Sequence, residues 1–250
     1  MSGQAETDLT HDAFLGGRLR LWQPRQGYRA GMDAVLLSAS VPANKGERVL
    51  ELGCGVGTAI LCLGTRVEGL DLTGVERDAA FAALARRNGG ASLEVVETDL
   101  TDMPLHLRQR QFDHVLANPP YYDRGASVAS DDPAREAAHG AETSLEKWVR
   151  IAAKRLAPKG MAHFIHRVES LPDIIRALPH EMGSIEVLPL TARATRAPER
   201  IILRARKNGR GAFRLHPPLI LHQGDSHQQD GDSYVPAIAA VLRDGAALQF

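Results

Sequence analysis

The stretch Arg48-Val-Leu-Glu-Leu-Gly-Cys-Gly-Val-Gly-Thr58 joins a short apolar run to three closely spaced glycines. The run 48–52 predicts a buried strand, and Thr58–Leu63 predicts the start of a helix. Glycines at such a turn permit a positive φ and let the backbone approach a ligand closely. Their G-x-G-x-G spacing differs from the dinucleotide pattern G-x-G-x-x-G, so the glycines alone do not identify the ligand.

Outward from this turn, predicted strands and helices alternate. The further strands are predicted at 70–75, 93–96, 112–117, 161–165, 185–190 and 201–206. The helices are predicted at 33–39, 78–88, 145–156 and 171–178. This alternation predicts an α/β fold with a seven-stranded, mostly parallel, doubly wound sheet. Before it, residues up to about 13–17 are predicted to form a loose arm, followed by a short strand at 18–23.

Acidic residues stand at or beside the ends of the first three predicted strands: Glu51, Glu76 and Asp99. Glu51 precedes the glycines, where a carboxylate would attract a cation such as an amino acid ammonium. Glu76 occupies the position from which an acidic side chain accepts hydrogen bonds from both ribose hydroxyls. Together the three acids fit a nucleoside with an amino acid tail better than a pyrophosphate. The alternative is that each acid merely caps the helix that follows it.

The fourth predicted strand ends in the tetrapeptide Asn118-Pro119-Pro120-Tyr121. The two prolines fix φ and restrict the residue before them. The Asn118 side-chain oxygen and the Pro119 carbonyl can therefore be held ready to accept from a planar exocyclic NH2 group. Tyr121 offers an aromatic face to a heterocycle. The alternative is a Pro-Pro turn followed by core tyrosines.

With these motifs, the chain resembles class I S-adenosylmethionine (SAM)-dependent methyltransferases that methylate amino groups. The resemblance implies a Rossmann-like fold, SAM as cofactor, and in-line methyl transfer to an amino group held by Asn118, Pro119, Pro120 and Tyr121. It also implies that the cofactor is bound by residues from the first four strand ends, which are Glu51, Gly53, Gly55, Gly57, Glu76, Asp99, Leu100 and Asn118.

Two flanking regions narrow the resemblance. The segment 26–37 (QGYRAGMDAVLL) and the segments 198–207, 217–222 and 234–237 are similar to the bacterial family that methylates N6 of the adenine just 3′ of the anticodon in valine tRNA. This implies RNA, expected to be tRNA, as the partner. A guanine N2 in ribosomal RNA, a protein glutamine N5, or a non-catalytic SAM- and RNA-binding module remain alternatives. The candidate substrate contacts are Tyr28, Arg29, Asp33, Arg124, Arg196, Arg200 and Arg204.

The charge distribution supports an RNA partner. The 250-residue chain has 30 basic and 30 acidic residues, but 193–214 holds eight basic residues against one acidic, a net of +7. The remainder carries −7. Such an arginine-rich stretch would neutralise phosphates and make binding strongly dependent on salt. The alternative is a solvated strand edge, and the insertion 122–139 is likewise either a substrate loop or a solvated surface loop.

Several classes of protein are not expected. The sequence has no run of about 18 apolar residues, so no transmembrane helix is expected. The first ten residues contain two acidic residues and no apolar core, so no signal peptide is expected. Two cysteines without CxxC spacing predict neither a disulfide framework nor a zinc site, so no metal is expected. We expect a cytoplasmic protein without a membrane partner, and the sequence gives no sign of an obligate protein partner. The predicted organisation is an arm and short strand at 1–30, a methyltransferase domain at 31–207, and an extension at 208–250 packed on it.

Overall fold

The computed structural model describes residues 8–27, 29–121, 143–224 and 233–250. Tyr28, Arg124 and the predicted loop 122–139 lie outside these residues. The strands are β1 Leu9–Phe14, β2 Leu19–Pro24, β3 Arg48–Leu52, β4 Asp71–Glu76, β5 Glu94–Glu97, β6 Phe112–Ala117, β7 Leu156–Arg167, β8 Met182–Thr191, β9 Arg200–Lys207, β10 Arg214–Leu215 and β11 Leu219–Ile220. The helices are α1 Met32–Ala39, α2 Thr58–Arg66, α3 Ala79–Gly89, α4 Leu105–Arg108, α5 Leu145–Arg155, α6 Leu171–Ala177 and α7 Pro236–Ala239.

The main sheet confirms the predicted α/β class. Its order is β10-β8-β9-β7-β6-β3-β4-β5, with β11 also paired to β8. Seven strands of four or more residues form the sheet, and two strands of two residues extend it beside β8. The five strands β7, β6, β3, β4 and β5 run parallel to one another. Strand β9 runs antiparallel to both of its neighbours, β7 and β8. Long crossovers join the parallel strands, as parallel pairing requires.

Both faces of this sheet are covered by helices. Successive side chains on a strand point to opposite faces, so neighbouring residues of β3 enter different cores. Val49 packs into the layer that contains α1 and α2, and Leu50 packs into the layer that contains α5 and α6. Both are fully buried, and each such burial contributes roughly 1.5–3 kcal/mol. The sheet is therefore doubly wound, as predicted.

The N-terminal segment differs from the prediction of a loose arm. Leu9–Phe14 is a strand and pairs antiparallel with β2 along its whole length. The resulting β1–β2 ribbon packs Leu9 and Trp22 against residues of the α3 side, including Leu84. In β1, Thr10 and Asp12 both contact the guanidinium of Arg29.

Two local differences concern helices and turns. The segment 158–160, between the predicted helix 145–156 and the predicted strand 161–165, lies within β7, which begins at Leu156 directly after α5. The backbone irregularity survives as a positive φ of 68° at Lys159 and a register shift against β6. A Cβ on Gly160 would lie 2.9 Å from the Phe112 carbonyl oxygen, so only glycine fits. The short helix α4 was not predicted.

The C-terminal residues lie on the same body as the sheet. Leu248 and Phe250 pack on the core layer of α1 and α2, and the Leu248 amide donates to the Ala39 carbonyl at 2.8 Å. These contacts agree with an extension packed on the main domain, while the three predicted boundaries stay a prediction. Over the part of the chain that the structure describes, no helix has the length and apolarity needed to cross a bilayer.

Asn88 connects the β1–β2 ribbon to the rest of the fold. Its Oδ1 accepts from the Trp22 amide at 2.8 Å, and its Nδ2 donates to the carbonyls of Trp22 and Val56 at 3.1 and 2.9 Å. One side chain therefore joins β2, α3 and the glycine turn after β3.

We expect Asn88→Ala to lower the free energy of unfolding by about 2–3 kcal/mol, because three hydrogen bonds are lost and their backbone partners are left partly buried. Urea denaturation followed by circular dichroism measures this change. The control is Gln109→Ala, which truncates an exposed side-chain amide directly after the short helix α4. A loss for Asn88→Ala no larger than that of the control would contradict the role of Asn88.

Candidate functional site

The candidate site lies at the carboxyl edge of the parallel strands. The register pairs Leu52 with both Val75 and Ala117, so β3, β4 and β6 end level with one another. The next residues along the three chains are Gly53, Glu76 and Asn118. Because neighbouring strands lie about 4.8 Å apart, the Cα atoms of Glu76 and Asn118 are separated by roughly 10 Å across β3. The sequence prediction that these motifs meet at one edge is thus matched by the geometry.

A cavity of about 820 Å³ opens at this edge. Its volume suits a small-molecule ligand of several ring and chain groups. Of the predicted cofactor and catalytic residues, those that line it are Gly53, Gly55, Glu76, Asp99, Leu100, Asn118, Pro119, Pro120 and Tyr121. Glu51 and Gly57 are not among the residues that line it.

The glycine turn needs its glycines for different reasons. Gly53 and Gly55 have φ values of 61° and 55°. A Cβ on Gly53 would lie 2.4 Å from Cη2 of Trp148, so the indole and the loop backbone are in direct contact. At Gly55 a Cβ would meet nothing within 4 Å, so its backbone faces open space at the cavity. Gly57 instead forms the N-cap of α2 with a φ of 88°, a structural role the sequence did not distinguish from ligand binding.

Glu76 ends β4 with its carboxylate fixed by backbone donors. Oε2 accepts from the Gly55 amide at 2.8 Å, and Oε1 accepts from the Asp78 amide at 2.9 Å. A carboxylate has about four acceptor positions, so two remain for a ligand. Glu76 is only 9% exposed but lines the cavity, and it can accept from the hydroxyls of a ribose as the sequence predicted.

Glu51 lies beneath the glycine turn and does not line the cavity, so its contact with the cofactor stays a prediction. It is 3% exposed, and its Oε2 accepts from the Ile60 amide at 2.9 Å, beneath the glycine turn. Burial raises the pKa of Glu51 to about 8, although the Ile60 hydrogen bond opposes the change and the nearby Glu76 adds to it. Burial of Glu51 beneath the turn therefore favours the protonated form of its side chain.

Asp99 follows β5 and is an N-cap as well as a cavity residue. Its Oδ1 accepts from the Thr101 hydroxyl at 2.6 Å and from the Thr101 amide at 2.8 Å. The Thr101 hydroxyl hydrogen bond is the largest cause that lowers the pKa of Asp99, so the group is ionised at neutral pH. Asp99 thus caps the turn that begins at Leu100, as the alternative held, and both Asp99 and Leu100 line the cavity.

The tetrapeptide after β6 lines the opposite part of the cavity. Asn118 is half-buried, Pro119 is buried and Pro120 is exposed. The Tyr121 hydroxyl donates to Oδ2 of Asp33 at 2.9 Å, so this tyrosine is not a core residue. Its ring meets the edge of the buried His166 ring, with centroids 5.0 Å apart and planes at 79°. Burial lowers the pKa of His166, so this neighbour is neutral near pH 7.

The candidate substrate contacts are divided by the structure. Arg29, Asp33 and Arg200 line the cavity, and Nε of Arg200 lies 3.1 Å from Oδ2 of Asp33. Arg29 also binds the ribbon, since its guanidinium lies 2.5 Å from Oδ2 of Asp12. Arg196 is exposed in the turn between β8 and β9, at the same edge of the sheet.

Arg204 does not line the cavity, and its contact with the substrate stays a prediction. It lies in the middle of β9 with a side chain 15% exposed, and its guanidinium is 2.6 Å from Oε2 of Glu186. It also donates to the carbonyl of Phe250 and stacks on that ring, 4.0 Å from the centroid. Arg204 thus holds β8, β9 and the C-terminal residues together.

The arginine-rich stretch 193–214 is likewise not one surface. Because β9 is antiparallel, Arg200 stands at the cavity edge and Lys207 at the opposite edge, about 24 Å away at roughly 3.4 Å per residue. Lys207 donates to the carbonyls of Ala153 and Leu156 at 3.0 Å each. The buried Arg193 donates to the Gly224 carbonyl at 2.8 Å. The net charge of +7 is therefore split between two edges and partly used inside the fold.

Sequence reasoning missed several residues of the cavity wall. They come from the turn after β4, the start of α3, the end of β5 and the residues around the start of α5, and they are Arg77, Asp78, Phe81, Thr98, Thr143 and Trp148. The position of Arg77 and Asp78 directly after Glu76 was a usable signal. Trp148 had none, because only the fold brings α5 over the glycine turn, where its Nε1 donates to the Thr143 carbonyl at 3.1 Å.

The residues present fit SAM. Glu76 and Asp99 supply acceptors for a nucleoside, Phe81 and Leu100 supply apolar surface, and the open face at Gly55 allows backbone approach. Among the described residues, no group of three or more His, Cys, Asp or Glu side chains is arranged to hold a metal ion.

Comparisons with known proteins agree with this geometry. Residues 30–171 match the family model of the methyltransferase small domain. A tRNA1(Val) (adenine(37)-N6)-methyltransferase from Cronobacter sakazakii is 35% identical over 186 residues, which cover 72% of this chain and 75% of the relative. The enzyme of the same name from Shewanella amazonensis is 29% identical over 225 residues, 87% of this chain and 91% of the relative.

A solved structure is also similar over most of its length. The crystal structure of a predicted O-methyltransferase from Agrobacterium tumefaciens superposes with a TM-score of 0.71 at 27% identity, covering 86% of this chain and 98% of that one. Its similarity extends beyond the residues matched by the family model.

The raised pKa of Glu51 makes a prediction about stability. The folded carboxyl keeps its proton up to about pH 8, whereas the unfolded carboxyl releases it near 4.5. Stability from this group is therefore present below pH 4.5 and is lost as the pH rises towards 8. We expect Glu51→Gln to remove a decline of up to about 1.4 kcal/mol per pH unit in the free energy of unfolding.

Urea denaturation of the ligand-free protein at several pH values between 5 and 8 measures this slope. Exposed Glu68→Gln is the control for the loss of one carboxylate. Equal slopes for Glu51→Gln and the wild type would show that Glu51 is ionised in the folded protein throughout this range.

Proposed function

This chain is a SAM-dependent methyltransferase that belongs to the methyltransferase small domain family, and we propose that it methylates N6 of the adenine just 3′ of the anticodon in a tRNA. The observation that carries the proposal is Asn118-Pro-Pro-Tyr121 at the carboxyl edge, level with Glu76 at the end of β4. The names of the relatives from Cronobacter and Shewanella support the choice of tRNA adenine.

The cofactor supplies an electrophilic methyl group. Glu76 is proposed to accept from the ribose hydroxyls, and Asp99 with the Leu100 amide to bind the adenine of the cofactor. The Gly53–Gly55 backbone is proposed to hold the methionine part. These three contacts would orient the cofactor across the ends of β3, β4 and β5, and positioning of this kind is a large part of the catalysis of displacement reactions.

On the substrate side, Asn118 and Pro119 are proposed to hold the amino group. The side-chain oxygen of Asn118 and the carbonyl oxygen of Pro119 accept hydrogen bonds from the two N–H groups of the amino group. These two hydrogen bonds localise the nitrogen lone pair towards the methyl group. The nitrogen becomes acidic as it gains the methyl and then loses one proton to water, so no strong base is required next to it. Tyr121 is proposed to stack on the base, which must leave its loop to reach the cavity.

The tRNA backbone is proposed to contact cations at the cavity edge. Arg29, Arg196 and Arg200 lie at this edge, and phosphate neutralisation by arginine would bring the anticodon loop to the cavity. The proposed partner is thus RNA bound chiefly at one edge of the sheet, with Tyr28 and Arg124 as further candidates outside the described residues.

The catalytic assignment is tested by Asn118→Ala. We expect kcat for methyl transfer to tRNA to fall about 100- to 1000-fold, because an oriented acceptor at the reacting centre is lost. Asn44→Ala is the matched control, since Asn44 is exposed and contacts Glu47 before β3. Unchanged methyl incorporation by Asn118→Ala would remove the role given to Asn118.

The substrate is tested with isotopically labelled SAM and separate tRNA, ribosomal RNA and protein fractions, followed by nucleoside mass spectrometry. We expect the label in N6-methyladenosine from tRNA. Label in N2-methylguanosine from ribosomal RNA, in a ribose or other hydroxyl, or in protein glutamine would contradict the proposal. Binding of SAM and RNA without any label transfer would indicate a non-catalytic module.

The division of the arginine-rich stretch is tested by salt dependence. Arg196→Ala should weaken tRNA binding and reduce the slope of log affinity against log salt by about 1, because one phosphate contact is lost. Arg210→Ala, exposed beyond the end of β9 at the other edge, should leave the slope unchanged. Fluorescence anisotropy with labelled tRNA measures both. Equal changes for the two variants would show that RNA contacts both edges.

A further inference from the structure

A single carboxylate oxygen links three distant segments beside the cavity. Oδ2 of Asp33, in the first turn of α1, accepts from the Tyr121 hydroxyl at 2.9 Å. The same oxygen lies 3.1 Å from Nε of Arg200, the first residue of β9. The start of the domain, the tetrapeptide after β6 and the last long strand are thus joined at Asp33.

The ring of Tyr121 has further fixed neighbours. The buried His166 meets it edge-on at a centroid distance of 5.0 Å. The guanidinium carbon of Arg167 lies 5.6 Å from the ring centroid, within cation–π range. Tyr121 nevertheless remains 38% exposed and lines the cavity. The phenol is therefore tied at its hydroxyl while part of the residue stays accessible.

The negative charge of Asp33 would repel the phosphates of an RNA at the mouth of the cavity, so its presence there has to be explained. Arg200 offsets that charge, and the Tyr121 hydroxyl uses one of its acceptor positions. A hydrogen bond to an ionised acceptor is about twice as strong as one between neutral groups. The contact is thus strong enough to select one orientation of a partly exposed aromatic side chain.

We propose that Asp33 is a positioning residue, which sets the orientation of the Tyr121 ring before the substrate arrives and does not itself contact the base. This rests on the proposed function only in taking a flat base as the group that stacks on Tyr121. Ordering the ring in the free protein removes an entropic cost from binding. The inference changes the sequence prediction, in which Asp33 was itself a substrate contact.

The first test needs no substrate. The chain contains four tyrosines, so incorporation of 3-fluorotyrosine gives a simple fluorine NMR spectrum, in which Tyr121→Phe assigns the Tyr121 resonance. We expect Asp33→Ala to shift and broaden this resonance. Asp33→Asn should shift it less, because an amide oxygen can still accept from the hydroxyl. The control is Asp113→Asn, which alters a carboxylate that binds the Arg48 amide at the other edge of the sheet. A Tyr121 resonance unaffected by Asp33→Ala would overturn the proposal.

The second test is a double-mutant cycle on methyl transfer to tRNA. Both Asp33→Ala and Tyr121→Phe remove their shared hydrogen bond, but Asp33→Ala also removes the Arg200 ion pair, so the cycle is made in an Arg200→Ala background. In that background we expect each variant to lower kcat/KM about tenfold and the double variant to lower it about tenfold as well. A loss of about a hundredfold in the double variant would show that Asp33 acts independently of Tyr121, and would overturn the proposal.

The two tests separate this inference from the proposed function. If the wild type methylates no tRNA, the proposed function fails, and the fluorine resonance still decides whether Asp33 orients Tyr121. If tRNA is methylated but the resonance does not respond to Asp33→Ala, only the inference fails.

Discussion

The parallel pairing of β6, β3, β4 and β5 is the constraint on which the rest of the molecule depends. Parallel strands must all end at one edge, and the register aligns Leu52, Val75 and Ala117 there. Every group proposed for chemistry follows one of these ends within a few residues. Helices on both faces bury the strands and leave the carboxyl edge as the place where backbone and polar side chains remain accessible.

Burial divides the acids at this edge into different electrostatic states. Glu51 is buried beneath the glycine turn, so desolvation raises its pKa to about 8, whereas the Thr101 hydroxyl helps to lower the pKa of the half-buried Asp99. Glu76 lies between them in depth and has its carboxylate held by two backbone amides. The site therefore offers fixed acceptors to a nucleoside without collecting three full negative charges in one small volume, which would cost stability.

The direction of β9 determines where the residues of the arginine-rich stretch 193–214 lie on the molecule. A run of charge in sequence is a surface patch only if the chain keeps those residues together, and an extended strand separates its ends by about 24 Å. Arg200 reaches the cavity edge, Arg204 binds Glu186 inside the sheet, and Lys207 caps carbonyls at the far edge. The same sequence feature thus serves substrate binding at one end and cohesion of the fold elsewhere.

From its sequence alone, the protein was identifiable as an α/β methyltransferase, because local features carry that information: the apolar run before Gly53-Cys-Gly55, and the rigid Asn118-Pro-Pro-Tyr121 after a strand. Only the tertiary structure decided which residues share the cavity. Glu51 does not line the cavity because the glycine turn lies over its side chain. Trp148 lines the cavity because α5 crosses the glycine turn. Asp33 contacts Tyr121 because β6 ends at the edge of the sheet where α1 begins. Burial and long-range contact depend on how all the elements pack together, and a motif records only its own segment.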